Sequence, residues 1–283
     1  MKSKLPHVGT TIFSVMSAMA NECNAINLSQ GFPDFTPSEY LLDQLSFHAH
    51  SGKNQYAPMN GIPELRQAIA TLTQECYGRE INPDTEITLA SGATEALFVA
   101  IQAIVNPGDE VILLDPAYDS YAPAVTLAGG HCKHIALLPP SYQADWQQIE
   151  AAVSPKTRLI IVNSPHNPTA TVFNDGDWQA LANLAAKHDL FVISDEVYEH
   201  IVFDQDRNSA HRYPALRDRT FVISSFGKTF HATGWKLGYC IAPPALSAEF
   251  RKIHQFVTFT SFTPAQYAVA DMLNEHSDQV HGL

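Results

Sequence analysis

From Glu86 onward, short apolar runs alternate with longer amphipathic stretches, a pattern that predicts a largely parallel sheet covered by helices. Glu86 to Ala90 reads as a strand. The segment from Ala93 to Val105 follows, with Leu97, Ile101 and Ile104 apolar at spacings of three and four, the period of a helix. Asn106-Pro-Gly-Asp109 stops that helix and turns the chain into a strand over Glu110 to Leu114. Arg158 to Val162, Leu190 to Ser194 and Thr220 to Ser224 are β-rich runs of the kind buried on both faces. Between the first two, a helix begins near Asn174 and gathers Trp178, Leu181, Leu184 and Ala185 on its apolar face. The first 45 residues read differently: Ser14 to Ala20 is a short helix, and Asn27 to Asp34 a loop rich in chain breakers. The last ten, Asn274 to Leu283, are polar and unpatterned, a loose tail.

Composition narrows the class. A length of 283 residues, 45% apolar and 16% charged, describes a soluble globular chain with one large α/β domain or two modest ones. A formal net charge of −12 argues against nucleic acid, whose phosphates need a basic surface. Cys23, Cys76, Cys132 and Cys240 lie far apart with no paired spacing, which favours free thiols in a reducing compartment over disulfides or a metal site. Met1 to Thr10 has no apolar core of a signal peptide, and no run is long enough to span a membrane. A cytoplasmic protein without membrane or nucleic-acid partners is expected.

Ligands of open α/β sheets bind outside the carboxyl ends of the strands, and here those ends carry polar chemistry. Ser91-Gly-Ala-Thr94 turns from a strand directly into a helix, an arrangement suited to an anion or to a plain cap by Ser91. Asp115-Pro-Ala-Tyr118 offers an aromatic that either stacks on a planar ring or packs. Asn167, between prolines, presents an amide to a ligand oxygen or forms an Asx turn before Pro168. Asp195 ends an apolar strand, where a carboxylate needs a cation: a protonated pyridine nitrogen or an arginine. Tyr198 follows three residues later. Lys228, on the Gly-containing turn after the run Thr220 to Ser225, puts a primary amine at the mouth of the sheet. A lysine with a lowered pKa there is a nucleophile.

Five motifs in this order carry a family resemblance: Asn-Gln-Tyr-Ala-Pro-Met-Asn-Gly (54–61), Ser-Gly-Ala-Thr-Glu-Ala (91–96), Asn-Ser-Pro-His-Asn-Pro-Thr (163–169), Ser-Asp-Glu-Val-Tyr (194–198) and Ser-Phe-Gly-Lys-Thr-Phe (225–230). Over about residues 5 to 273 the chain resembles fold-type I, class I pyridoxal-phosphate aminotransferases of the methionine and kynurenine (glutamine transaminase) branch. The resemblance implies the PLP-transferase fold, a mainly parallel sheet flanked by helices. It divides the chain into an N-terminal segment with part of a small domain (1–45), a large coenzyme-binding domain (46–273) and the tail (274–283).

It also implies roles. Lys228 would form the Schiff base with pyridoxal 5′-phosphate and shuttle the proton, and Asp195 would hold the pyridinium. Asn167 and Tyr198 would bond the phenolic oxygen, and Tyr118 would stack on the ring. Gly92, Ala93, Thr94 and Ser225 would surround the phosphate, with Lys236 where most of the class has an arginine. Two lysines so close leave the Schiff base open between Lys228 and Lys236, the Ser-x-Gly-Lys turn favouring the first. Tyr56 would reach the phosphate of a partner subunit, implying a homodimer with shared sites. Gly31, in Gln30-Gly-Phe-Pro33, would lie in the loop over the substrate carboxylate, Phe13 would border the side-chain pocket, and Asn167 would also contact the substrate. Members of this family continue beyond the point where this sequence stops and supply an arginine fork for that carboxylate. Arg251 is the last arginine here and does not match it, so a C-terminally shortened member, lacking most of the small domain, is expected. The implied activity is transfer of an amino group from a hydrophobic, sulfur-containing or aromatic L-amino acid to a 2-oxo acid. A carbon–sulfur β-lyase, or a coenzyme-binding remnant impaired by the missing arginine, is the alternative.

Overall fold

The structure, a computed structural model, describes residues 2–6, 8–29, 31, 35–203 and 207–281. Three helices, Ile12–Glu22 (α1), Glu39–His50 (α2) and Pro63–Tyr77 (α3), precede the sheet. Strands and helices then alternate through Ile87–Ala90 (β1), Ala93–Ile104 (α4), Glu110–Asp115 (β2), Tyr121–Leu127 (α5), His131–Ala136 (β3) and Trp146–Ala151 (α6). Thr157–Asn163 (β4), Asp175–His188 (α7), Phe191–Asp195 (β5), Thr220–Ser225 (β6) and the single turn Phe226–Thr229 (α8) come next. Gly238–Ile241 (β7) and the helices Pro244–Val257 (α9), Thr263–Glu275 (α10) and Ser277–His281 (α11) complete the order.

Among the described residues the strands form one seven-stranded sheet in the order β1-β7-β6-β5-β4-β2-β3. All pairings are parallel except those of β7, which runs against both β1 and β6. Side-chain parity explains why both faces are covered. Val111, Leu113, Leu159, Ile161, Ile193, Phe221 and Ile223 point to one face, where they meet α4 and α9 residues such as Leu97, Ile101 and Phe250. Ile112, Leu114, Ile160, Val162, Val192 and Val222 point to the other, against Trp178, Leu181 and Ala185 of α7. A third apolar cluster joins α2, α3 and α10 around Leu41, Ile69 and Val269. Helix α7 begins where Asn174 and Asp177 cap it reciprocally, satisfying two of the amides that a helix start leaves bare.

Two strands have no counterpart in the sequence reading. Strand β7 is four residues long and starts at a glycine, and β3 is an edge strand with a mostly solvated surface. The tail also departs from the expectation of a loose, unpatterned end. Helix α10 runs on to Glu275, α11 follows, and Val280 is fully buried while its carbonyl accepts from Arg207 Nη2 at 2.9 Å. One apolar residue in a polar stretch suffices to dock the turn.

Candidate active site

Because β1, β2, β4, β5 and β6 run in parallel, their carboxyl ends meet along one edge, where a cavity of about 650 Å³ opens. The parity that fills the core also aims the polar residues. Asn163, Asp195 and Ser225 share the face of Ile161, Ile193 and Ile223 and line the cavity, whereas Ser194 and Ser224 point to the opposite face. Lys228, Gly92, Ala93, Thr94, Tyr118, Asn167, Asp195, Tyr198, Ser225, Lys236, Gly31 and Phe13 all line this one cavity. Of the substrate loop, Gln30, Phe32 and Pro33 lie outside the described residues.

One end of the cavity suits an anion. Ser91 does not cap α4: the cap position is Gly92, with no side-chain bond, so the Ala93 and Thr94 amides lack an intrahelical acceptor. Gly92 has φ +79°, and a Cβ on it would stand 3.3 Å from Lys236 Nζ. Lys236 itself sits in left-handed backbone at φ 52° and leans over this turn. Gly238 pairs with both Ala90 and Ser225, and a Cβ there would lie 2.7 Å from the Ser224 carbonyl oxygen and 3.0 Å from the Ala93 amide. Only glycine lets β7 pass so close beneath the turn. Bare amides, a helix N-terminus and a lysine make a place suited to an anion.

The other end is built around Asp195. Tyr121 donates to its Oδ2 at 2.6 Å, and the Val197 amide donates to Oδ1 at 3.3 Å. Burial pushes this carboxyl up to about 6, while the Tyr121 and Val197 bonds and the Lys228 charge oppose the rise. Asn163 completes the frame: its Nδ2 donates to the Asp195 carbonyl at 2.8 Å, and its Oδ1 accepts from the Asn167 amide N–H at 2.6 Å. That bond uses the Asn167 backbone and leaves its side-chain amide facing the cavity, in place of an Asx turn. Among the described residues no arginine lines the cavity, and no Asp195–arginine pair is formed there. On the reverse face, Glu199 accepts from Tyr77 at 2.6 Å, from Tyr239 at 3.0 Å and from Ser224, fixing the turn that carries Tyr198.

Between the two ends stand Lys228 and the aromatic rings. Lys228 Nζ lies 5.3 Å from the Tyr198 ring centroid. Burial lowers the affinity of this amine for its proton below the ordinary lysine value, and the Asp195 charge counteracts in part. Tyr118 packs edge-on against Tyr121, ring centroids 5.7 Å apart, with its hydroxyl 3.4 Å from Thr94 Oγ1. The two lysines thus occupy different places, Lys236 over the glycine turn and Lys228 toward Asp195 and Tyr198.

Tyr56 is the one sequence-derived candidate outside the cavity; it is exposed, next to Phe259. Arg251 serves the scaffold, with Nε donating to Thr88 Oγ1 at 2.9 Å and Nη2 to the Ile87 carbonyl at 2.7 Å. Tyr121 and Asn163 escaped the sequence reading. Tyr121 lies 74 residues from Asp195, and Asn163 passed as the end of an apolar strand, so only the motif around it pointed there.

The residues present fit the coenzyme that the resemblance implies. The glycine cradle that a Cβ would fill would suit a phosphate, the buried Asp195 a ring cation, and the part-buried Lys228 amine an aldehyde. Comparison with known proteins agrees. The model of the family "Aminotransferase class I and II" matches residues 24–281. Methionine aminotransferase of Escherichia coli (strain K12) is 56% identical over 283 residues, covering 100% of this chain and 73% of that protein. A kynurenine–oxoglutarate transaminase of Dictyostelium discoideum is 38% identical over 94% of this chain and 66% of its own length. The crystal structure of an E. coli protein with a methionine aminotransferase function superposes with a TM-score of 0.97 at 54% identity, over 100% of this chain and 74% of that one. N-Succinyldiaminopimelate aminotransferase of Mycobacterium tuberculosis superposes with a TM-score of 0.96 at 39% identity, over 100% and 74%. The chain belongs to the class I and II aminotransferases, pyridoxal-phosphate-dependent enzymes that exchange an amino group between an amino acid and a 2-oxo acid.

Proposed function

We propose that the amino donor is a hydrophobic, sulfur-containing or aromatic L-amino acid, methionine-like or kynurenine-like, and that the cavity is the site of the transfer. The observation that carries this reading is the composition of the cavity wall. A desolvated amine and a buried carboxylate share one space with Phe13, Leu28, Leu97 and Val197, an apolar lining for an uncharged side chain. The printed names of the relatives, methionine and kynurenine transaminases, support the same donor class.

In this reading each residue has a defined part. Lys228, its proton affinity lowered by burial, would hold the coenzyme through its amine and would move a proton at the substrate Cα. Asp195, its carboxylate held in place by Tyr121, would hold the coenzyme's ring cation. Bound there, the protonated ring supplies an electron sink for the Cα–H bond. Asn167 and Tyr198 orient the ring oxygen, Asn167 also meets the substrate carboxylate, and Tyr118 covers the ring face. The Gly92, Ala93 and Thr94 turn, with Ser225 and Lys236, binds the phosphate. Gly31 lies toward the substrate carboxylate and Phe13 toward its side chain. Tyr56, exposed on a single chain, would serve the site of a second copy in a homodimer. Four cysteines with no disulfide among them fit a cytoplasmic enzyme.

The test is a half-reaction. The chain loaded with pyridoxal phosphate and given methionine or phenylalanine should change the coenzyme absorbance and release one equivalent of the 2-oxo acid. A second 2-oxo acid should restore the spectrum. Pyruvate and a thiol from a cysteine conjugate, with no such recovery, would assign a carbon–sulfur lyase instead. Bound coenzyme with no product of either kind would overturn the proposal.

A further inference from the structure

His254 sits on α9, fully buried, 159 residues from Glu95 in sequence, yet its Nδ1 lies 2.8 Å from Glu95 Oε1. Its other nitrogen, Nε2, lies 3.1 Å from the Met59 carbonyl oxygen. A carbonyl only accepts, so Nε2 carries a proton. A second proton must then sit between Nδ1 and the Glu95 carboxyl, whichever atom holds it. Glu95 uses its remaining oxygen, Oε2, to accept from the Ser91 amide at 3.0 Å. The chain of bonds thus runs from the loop that carries Tyr56, through a buried ring, to the residue before Gly92.

Resting on the function proposed above, we infer that His254 and Glu95 are positioning residues for the phosphate end of the cavity: their proton-sharing pair fixes the Ser91–Gly92 turn so that the Ala93 and Thr94 amides stay bare and aimed at an anion. The physical need is specific. A glycine at φ +79° with no side-chain cap has no intrinsic preference for this conformation, and a nearby serine is a ready alternative cap. Glu95, by accepting the Ser91 amide, ties the turn back to its own helix and holds Ser91 out of the cap position. His254 in turn holds the carboxylate oxygens in register. Neither side chain lines the cavity. The same ring reaches the Met59 carbonyl, so α9 links the phosphate turn of one site to the loop whose Tyr56 is proposed to serve the neighbouring site.

The test compares dissociation constants for pyridoxal 5′-phosphate and for pyridoxal, which lacks the phosphate, by fluorescence titration of wild type, His254→Gln, Glu95→Gln and the double variant. The expected result is an affinity for the phosphorylated ligand about tenfold weaker in each single variant, the scale of one charge-assisted hydrogen bond. Pyridoxal should bind with little change, and the double variant should fall no further than the singles. Equal losses for both ligands, or none, overturn the inference. In 15N-labelled wild type at neutral pH, NMR should find His254 Nε2 protonated; a bare Nε2 also overturns it, even if the variants do not fold. A wild type that binds pyridoxal as tightly as its phosphate would remove the phosphate site itself, whereas a preference that all the variants keep removes only this role.

Discussion

Asp195→Asn should make the coenzyme-free chain more stable at pH 8 while destroying its use. Asp195 is 3% exposed and its carboxyl pKa rises from 3.8 to about 6, with burial as the largest cause. For an acid whose folded pKa is raised, the folded state binds the proton more tightly than the unfolded state. The destabilisation is therefore absent below pH 3.8, grows between 3.8 and about 6, and is complete above. A rise of that size is worth about 3 kcal/mol. Asparagine removes the charge but keeps an acceptor for Tyr121 or the Val197 amide, so the expected net gain is about 1–3 kcal/mol, reduced by the weaker neutral bonds. Urea unfolding of both proteins at pH 4, 5, 6 and 8, without coenzyme, reads it directly. The stability difference should widen from pH 4 to 6 and then level off. With pyridoxal phosphate added, the order should reverse, because only the carboxylate stabilises a ring cation. A variant less stable than wild type at pH 8 without ligand, or a difference independent of pH, would refute the reasoning.

Other substitutions address the remaining parts. Tyr121→Phe removes a bond that holds the Asp195 pKa down, so the carboxyl should titrate above about 6. Coenzyme affinity near pH 6–7 should then fall by about tenfold, seen as a shifted pH profile of binding. Gly92→Ala forces a side chain into left-handed backbone and against Lys236, and should cost about 1–2 kcal/mol of stability. Its loss of affinity should be larger for pyridoxal phosphate than for pyridoxal. Trp178→Ala, on the core-facing side of α7 and outside the cavity lining, should lower unfolding free energy by about 3–5 kcal/mol and leave coenzyme affinity of the folded fraction unchanged.

Much of this architecture was legible before any coordinates. Strands β2, β4, β5 and β6 announce themselves because β-branched runs apolar on both parities have no other stable home. The polar residue that ends each run then falls at a strand's carboxyl end, where a parallel sheet gathers ligand groups. Strand β7 was illegible for the opposite reason: its signal is a glycine and three residues, and its function is to pass close beneath a turn. Helix α5 carries Pro123 in a seven-residue span, so the sequence offers no period to reveal that its first residue bonds Asp195. His254 reads as one polar position on an amphipathic helix; only the fold brings it to Glu95. The site's first contacts follow from strand ends, and the groups that hold those contacts in place come from elsewhere in the chain.

The account stands on which amine takes the coenzyme. Borohydride reduction of the loaded protein, followed by proteolysis and mass spectrometry, fixes the coenzyme to the side chain that held it. The account predicts a pyridoxyl-phosphate adduct on the peptide containing Lys228, and its loss in Lys228→Ala with non-covalent binding retained. An adduct on Lys236 instead, or coenzyme bound with no lysine modified, would contradict it.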